Sequence, residues 1–267
     1  MPGAMDDTVD LRPTIDRAWL ERAALLEPVV HTYALWDLDR HPDRVRFVSA
    51  VRRESTWAYF LVWPGPAAVP IVHWYGHGPG AIALAGALPP RPLVAVVPPE
   101  VHDAVVEVRG PARAFPERIL WHPRAGNLPA VEDDAVRRLV SDDRTALIAW
   151  ARRHPDRETA EYPTLDLDAE AAWGAFDRGR LLGVARAAVR LPGAWIVSGV
   201  FVEPEARRQG FGARVVAAVL RAAEAANASV GLYVREDRPA ARALYERLGF
   251  RGAGRCLWLD LGAGLEP

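Results

Sequence analysis

The second half of the chain alternates between short apolar runs and apolar side chains at helical spacing. Runs rich in β-branched and aromatic residues predict strands, and apolar positions three and four residues apart predict amphipathic helices. The predicted strands are residues 135–140, 171–176, 180–189, 195–202, 230–234 and 255–261. Helices are predicted after Ser141, after Gly212 and from Pro239 to Leu248. The order β-α-β-β-β-α-β-α-β predicts an α/β fold of the α+β kind, with helices flanking a mixed, mostly antiparallel central sheet.

The first half has the same rough order of elements. The predicted helices are residues 13–26, 30–38 and 100–108, and the predicted strands are residues 45–51, 57–63, 69–75, 92–97 and 119–121. Residues 1–12 are acidic with early Pro and Gly, which predicts a loosely attached segment. Residues 123–134 combine Pro, Gly, Asn and acids, as linkers do. We therefore predict two domains, residues 1–124 and 133–267, joined by a linker at 125–132.

The amino-acid composition excludes several kinds of partner and reaction. The net charge is −1 over 267 residues, so there is no basic excess to bind nucleic acid. All 33 basic side chains are arginines, which excludes a lysine nucleophile or Schiff base. The single cysteine, Cys256, excludes an internal disulfide and lies in a predicted strand, where we interpret it as a core residue rather than a nucleophile.

Membrane and metal partners are not expected. No apolar run reaches the roughly 18 residues of a membrane span, and the acidic N-terminus lacks the apolar segment of a signal peptide. We therefore predict a cytoplasmic protein. The histidines show no metal-ligand spacing, because even His73 and His77 span a strand end and a glycine turn rather than one helix face.

A basic, glycine-containing turn carries the main functional signal. Residues 195–202 form a predicted strand, residues 207–212 read Arg-Arg-Gln-Gly-Phe-Gly, and a predicted helix follows. A strand, a tight turn and a helix in this order present backbone N–H groups and the positive helix end to a phosphate.

Several motifs in the second half resemble the GNAT superfamily of N-acyltransferases. Residues 207–212 are similar to its cofactor loop, Arg/Gln-x-x-Gly-x-Gly/Ala, and residues 202–204 to the Val-x-Pro ahead of that loop. Residues 240–250 resemble its Ala-x-x-Leu-Tyr-x-x-x-Gly-Phe helix, and residues 173–183 resemble its substrate-side hairpin. The resemblance covers roughly residues 133–262, and the motifs agree in order and spacing.

The resemblance implies an acetyltransferase that uses acetyl-CoA as co-substrate and transfers an acetyl or other small acyl group to a primary amine by direct attack. In the superfamily the loop backbone holds the CoA pyrophosphate, while backbone groups of the preceding strand end pair with the pantetheine arm and hold the thioester carbonyl. The implied CoA-binding residues are Phe201, Val202, Arg207, Arg208, Gln209, Gly210, Phe211, Gly212, Ala213 and Asp237. Tyr245 is implied as the acid that protonates the departing thiolate, the alternative being an aromatic anchor in the core.

Two positions depart from the superfamily pattern. The strand at 195–202 carries no carboxylate, so the usual base is missing, and we assign none. Ser198 in that strand is a candidate for positioning a water, and Glu203 is expected in the loop beside Pro204. The loop residues Glu161, Tyr162, Asp166 and Asp168 are candidates to reach the substrate, each with a solvated loop position as the alternative. Asp237 stands where the superfamily often has Asn, and it either contacts the pantetheine amide or caps the next helix, with capping the preferred interpretation.

The first half lacks the cofactor loop, because residues 76–80 are glycine-rich but lead into no long predicted helix. The whole chain resembles tandem GNAT proteins with a degenerate N-terminal half, the arrangement of glycine N-acyltransferase-like proteins. Two alternatives stay open, a non-catalytic acyl-CoA sensor and an interaction module whose glycine loop is incidental. The partner is expected to be a small-molecule amine, whose identity the sequence leaves open, together with whether the protein forms a homodimer.

Overall fold

The predicted alternation of strands and helices is present in the computed structural model, which describes residues 9–264 except 54, 65–68, 124–134, 156–158, 160–161 and 169. Contacts divide the chain into an N-terminal unit, residues 1–117 with 255–267, and a C-terminal unit, residues 118–254. The linker predicted at 125–132 lies outside the described residues. The two domains predicted at residues 1–124 and 133–267 stay a prediction, because a division by contacts does not test which segments fold independently.

The strands are numbered along the chain. They are β1 (Asp10–Arg12), β2 (Arg46–Arg52), β3 (Ser55–Trp63), β4 (Ile71–Tyr75), β5 (Leu93–Val97), β6 (Arg113–His122), β7 (Val136–Arg138), β8 (Ala171–Asp177), β9 (Arg180–Leu191), β10 (Ala194–Val202), β11 (Ser229–Arg235) and β12 (Arg251–Leu261). The helices are α1 (Arg17–Leu26), α2 (Pro28–Arg40), α3 (Gly78–Ala83), α4 (His102–Arg109), α5 (Arg144–Arg153), α6 (Phe211–Ala225) and α7 (Pro239–Arg247). Single 3₁₀ turns occur at Leu84–Ala87, Pro99–Val101, Ser141–Asp143, Tyr162–Thr164 and Pro204–Ala206.

The sheet of the N-terminal unit follows the order β1-β2-β3-β4-β5-β12. Its neighbours are antiparallel except for the parallel pair β4–β5, and the last strand of the chain lies beside β5 with Leu257 opposite Val97. Arg91 secures that strand, since its Nε donates to the Leu261 carbonyl at 2.8 Å. Residues 10–12 form β1 rather than a loose segment, because they pair with β2.

The sheet of the C-terminal unit follows the order β6-β11-β10-β9-β8-β7. The neighbours from β7 to β10 are antiparallel, and β10–β11 is parallel. The order β-α-β-β-β-α-β-α-β predicted for the second half is confirmed, as is the mixed α/β fold with a mostly antiparallel sheet flanked by helices.

Helices cover both faces of the C-terminal sheet. Successive residues of β8 and β9 alternate between two apolar clusters, so the clusters lie on opposite faces. One cluster is built on the buried stripe of α6, including Val215, Val216 and Val219. The other is built on α5 and contains Trp150 and Phe201. We call these the α6 face and the α5 face.

Candidate functional site

Strands β10 and β11 separate part-way along their length. They pair in parallel only from Ala194–Ile196 to Ser229–Gly231, although β10 continues to Val202 and β11 to Arg235. Backbone groups that leave a ladder need other partners. From the end of the ladder we infer a cleft edged by the two strand ends, which would suit an extended ligand chain that can pair with backbone.

A β-bulge marks the middle of β10. The register with β9 shifts between Ser198 and Phe201, so β10 holds one extra residue there. Gly199 has φ +61°, a left-handed conformation that glycine adopts without strain. Its carbonyl accepts a hydrogen bond from the Tyr162 hydroxyl at 2.5 Å.

The predicted glycine loop lies directly after β10. Arg208 has φ +64° and Gly210 has φ +86°, and Gly210 is the N-cap of α6. The first hydrogen bond within α6 runs from the Arg214 N–H to the Gly210 carbonyl at 3.1 Å. The N–H groups of residues 211–213 therefore have no acceptor inside the helix, and they stand at its positive end.

Arginine side chains brace this loop from within. Arg207 Nε donates to the Val202 carbonyl at 3.1 Å, and its guanidinium lies 5.4 Å from the Phe201 ring centroid. Arg214 Nη2 donates to the Gln209 carbonyl at 3.0 Å. Sequence reasoning included Arg207 and missed Arg214, whose only signal is its place in the first turn of the helix after the loop.

The two loop glycines have different reasons to be glycine. Gly210 needs its positive φ, and a methyl group there would meet nothing closer than 3.7 Å. A methyl group on Gly212 would meet Leu244 at 3.4 Å and Val202 at 3.6 Å, which are ordinary contacts. A side chain at position 212 would thus point into the protein, so any ligand contact by Gly212 comes from its backbone. The Phe211 side chain is also buried, which leaves its backbone as the accessible part.

Tyr245 lies on α7 with 7% of its surface exposed. Its ring meets the Phe250 ring edge-on at a centroid distance of 5.6 Å, within the α6-face cluster. This position fits an aromatic anchor, and a tyrosine can anchor a helix and donate a proton at once. Its role as the acid stays a prediction.

Asp237 does not cap α7. The N-cap residue is Arg238, and no side chain bonds there. Asp237 instead accepts two hydrogen bonds from Arg235, at 2.9 Å from Nε and 2.5 Å from Nη2, and this pairing lowers the pKa of its carboxyl group. The capping interpretation is therefore wrong, because the neighbouring guanidinium takes both carboxylate oxygens.

Glu203 follows β10 and is buried, with 1% of its side chain exposed, rather than solvated. Its carboxylate lies 2.9 Å from Arg153, 2.5 Å from Arg180 and 3.1 Å from His154. Burial opposes ionisation, but the hydrogen bond from Arg153, the nearby His154 and the charge of Arg180 outweigh it, so the pKa of Glu203 lies below its ordinary value. A carboxylate held this way is a poor proton acceptor.

The other candidate bases have hydrogen-bond partners, are exposed or buried, or lie outside the described residues. Ser198 Oγ accepts from Arg186 Nε at 3.1 Å, and Asp168 accepts from Ser141 at 2.6 Å. Asp166 is exposed, and Glu161 lies outside the described residues. Tyr162 is buried, so a solvated position is wrong for it. Over the described ranges, no group of three or more His, Cys, Asp or Glu side chains is placed to hold a metal ion.

The membrane question has one structural answer. Within the part of the chain that the structure describes, every helix is too short or too polar to cross a bilayer.

Known proteins resemble this chain in sequence and in fold. Residues 134–250 match the model of the acetyltransferase (GNAT) family. A GCN5-related N-acetyltransferase from Sphaerobacter thermophilus has a TM-score of 0.63 at 14% identity, with 99% of each chain covered. One from Kribbella flavida has a TM-score of 0.57 at 19% identity, covering 94% of this chain and 98% of that one.

A tandem GNAT protein from the clavulanic acid biosynthesis pathway has a TM-score of 0.55 at 15% identity, covering 97% of this chain and 100% of that chain. A search of curated proteins found no match. At such identities the structures show the fold alone. The family model matches residues 134–250, which is less than half of the chain, and the solved structures share the fold of the whole chain.

Proposed function

We propose that the protein is an N-acetyltransferase, which moves an acetyl or other small acyl group from acetyl-CoA to the primary amine of a small molecule. The observation that carries this proposal is the divergence of β10 from β11 directly ahead of the N-terminus of α6. The cleft suits the pantetheine arm, and the helix end suits the pyrophosphate. The two features adjoin in the order that a single CoA molecule would require.

The residues divide the work of binding. The backbone of residues 209–213 would hold the pyrophosphate, with Arg208 exposed beside it to add positive charge. The backbone of Phe201 and Val202 would pair with the pantetheine arm and hold the thioester oxygen as negative charge develops on it. Arg207 and Arg214 would act mainly by holding the loop in shape, since both donate to its carbonyl groups or to the strand end.

Direct attack by the amine is the favoured route. Cys256, the single cysteine, is buried in the N-terminal unit, and burial raises the pKa of its thiol. A covalent acyl-cysteine intermediate is therefore disfavoured. As the carbon–sulfur bond of the thioester breaks, Tyr245 would give its proton to the departing thiolate, while the amine nitrogen loses one proton to solvent or to a base of the acceptor complex.

The chain as a whole fits a tandem arrangement, like that of glycine N-acyltransferase-like proteins. Each unit holds antiparallel strand pairs followed by a parallel pair. In the N-terminal unit α3 spans only Gly78–Ala83, has Pro79 in its first turn and lies against Trp57, whose ring atoms would be 2.9 Å from a methyl group on Gly80. These features support an N-terminal unit that does not bind CoA itself.

A non-catalytic acyl-CoA sensor is the second candidate. Glu203 is the carboxylate that directly follows β10, and three cationic or imidazole groups already hold it. A site that binds the donor but has no competent base would recognise acyl-CoA without turning it over.

The test combines turnover and binding. Acetyl-CoA is incubated with a panel of primary amines while released thiol is followed, and CoA affinity is measured by calorimetry. We expect thiol release with at least one amine, and a decrease of about tenfold or more in kcat for Tyr245→Phe with CoA affinity unchanged. Binding without turnover across the panel would favour the sensor, and absence of CoA binding would contradict both candidates.

Matched glycine variants test the loop. Gly210→Glu should abolish CoA binding, because it places a bulky negative charge at the helix end that would receive the pyrophosphate. Gly193→Glu is the control, since Gly193 has the same φ of +86° and lies in the turn between β9 and β10, at the far end of β10. Loss of CoA affinity in both variants alike would count against the loop assignment.

A further inference from the structure

The bulge in β10 is held by one side chain from outside the sheet. Tyr162 belongs to the 3₁₀ turn Tyr162–Thr164, on the α5 face. Its ring meets Trp150 edge-on at a centroid distance of 5.6 Å, and 2% of the residue is exposed. Packing therefore fixes the ring, and its hydroxyl donates to the Gly199 carbonyl at 2.5 Å.

This hydrogen bond replaces a bond that the sheet does not make. The register between β9 and β10 runs from Ser198 opposite Arg186 directly to Phe201 opposite Val184. Gly199 and Val200 therefore oppose one residue of β9 between them, and the ladder is interrupted there. A carbonyl that leaves the ladder needs another partner, so the phenol hydroxyl stabilises the bulged backbone against a return to regular pairing.

Fixing a carbonyl also fixes the N–H across the same peptide bond. The peptide group is planar and trans, so its C=O and N–H point in opposite directions. With the Gly199 oxygen bound to Tyr162, the Val200 N–H points away from that side chain. Donor groups that stabilise a developing negative charge work best when their direction is set in advance.

We propose that Tyr162 is a positioning residue, which holds the β10 bulge in the conformation that receives the acyl group of the bound thioester. The proposal rests on the proposed function. It places the acyl end of the ligand at the bulge, which ends at Phe201 and so sets the direction of the Phe201 and Val202 backbone, and it leaves the pyrophosphate to the loop at 207–212. A substitution at the bulge should therefore affect one end of the ligand and not the other.

Acetyl-CoA and CoA differ only in the acyl group. The ratio of their dissociation constants therefore reports on the acyl end of the site separately from the rest. Dissociation constants for acetyl-CoA and for CoA are measured by calorimetry on the full chain, together with kcat and the melting temperature. In Tyr162→Phe, CoA affinity is expected to stay within about twofold, acetyl-CoA affinity to fall about fivefold and kcat to fall about tenfold. Gly199→Ala, which puts a side chain at φ +61°, should shift the same ratio of dissociation constants.

The control and the contrary outcomes separate this inference from the proposed function. Tyr33→Phe removes a hydroxyl from a tyrosine stacked on His73 in the N-terminal unit and should leave the ratio unchanged. If Tyr162→Phe weakens both ligands equally, or changes neither, Tyr162 only supports the fold and the positioning role is overturned while the proposed function stands. If the unsubstituted protein binds neither ligand, the proposed function fails and takes this inference with it.

Discussion

Each unit contains a parallel strand pair of the same length, but the chain beyond the pair differs between the two units. In the N-terminal unit residues 71–73 pair with 94–96, and in the C-terminal unit residues 194–196 pair with 229–231. Each pairing is three residues long. Beyond it β4 ends at Tyr75, whereas β10 continues to Val202, past its last pair with β11 at Ile196.

The segment that follows the first strand of each pair differs between the two units. After β10 come a basic loop and the 15-residue helix α6. After β4 come Gly76 and the 6-residue helix α3. Under the proposed function, the shared strand pair alone would not make a phosphate site; a long helix with an open first turn and a strand end that leaves the ladder would both be needed.

The largest effect we expect concerns the glycine after β4. A methyl group on Gly76 would lie 2.3 Å from the Ala58 Cβ, and φ there is +112°. Gly76→Ala should therefore lower the free energy of unfolding by about 3–4 kcal/mol, measured by urea denaturation. The CoA affinity of the folded fraction should not change, because this glycine serves packing.

Gly193→Ala is the matched control for that variant. Gly193 also has a positive φ, but a methyl group there meets nothing within 4 Å, so only backbone strain of about 1 kcal/mol is expected. Equal losses in the two variants would show that strain, and not the approach of Ala58, makes Gly76 necessary.

A second difference between the units is their response to acid. Burial lowers the pKa of His31 in α2 to about 4. The groups around it are Tyr59, which meets Nδ1 at 2.8 Å, Tyr75, Trp19, and Glu27 with Oε2 3.9 Å from Nε2. Between pH 6.5 and 4 the unfolded chain protonates this histidine and the folded chain does not, so the His31 contribution to stability is lost as the pH falls through this window. Burial of Asp37 in the same helix raises its pKa to about 7 and acts in the opposite direction.

The difference between the unfolded and folded pKa of His31 corresponds to about 3 kcal/mol of unfolding free energy. Attraction between Glu27 and the imidazolium reduces this loss. His31→Phe should flatten the dependence of unfolding free energy on pH between 4 and 6.5, measured by urea denaturation at several pH values. His73→Phe offers a second arm, since burial lowers the pKa of His73 to about 4 as well. A pH dependence that His31→Phe leaves intact would assign the acid response to other groups.

Local pattern predicted the elements of the C-terminal unit well, because its strands and helices are long and strongly periodic, as in α6. Local pattern could not predict what depends on distant packing. Tyr162 lies in a polar stretch that reads as a loop, and only its contact with Trp150 reveals that it is buried. The partners of Glu203 lie 23 and 50 residues away, at Arg180 and Arg153, so no sequence window contains the group.

The same limit applies to strand pairing. The motif at 207–212 indicates a loop, but the sequence does not show how far β10 and β11 remain paired, which is what opens the cleft. The pairing of β12 with β5 joins residues more than 150 positions apart. Both depend on which backbone ladders the folded chain completes, and no side-chain pattern encodes that choice locally.

The smallest effect we expect concerns Glu203, and it makes the comparison of acid responses sharper. Glu203→Gln should cost about 1–2 kcal/mol, because Arg153 and Arg180 are about half exposed and water screens part of the lost attraction. The folded pKa of Glu203 is lowered, so its contribution is complete above about pH 4.5 and is lost as the pH falls through the folded value.

The difference in unfolding free energy between the unsubstituted protein and Glu203→Gln should therefore be constant from pH 7 to 5 and shrink below about 4.5, a window more acidic than that of His31. Asp143→Asn is a matched control, because Arg137 pairs with Asp143 at 2.6 Å on the same unit, away from the end of β10, and should lower stability without changing CoA affinity. If Glu203→Gln also leaves CoA affinity unchanged, the ion group supports the fold only. If affinity falls, the group also holds the end of β10 in the geometry that binds the pantetheine arm.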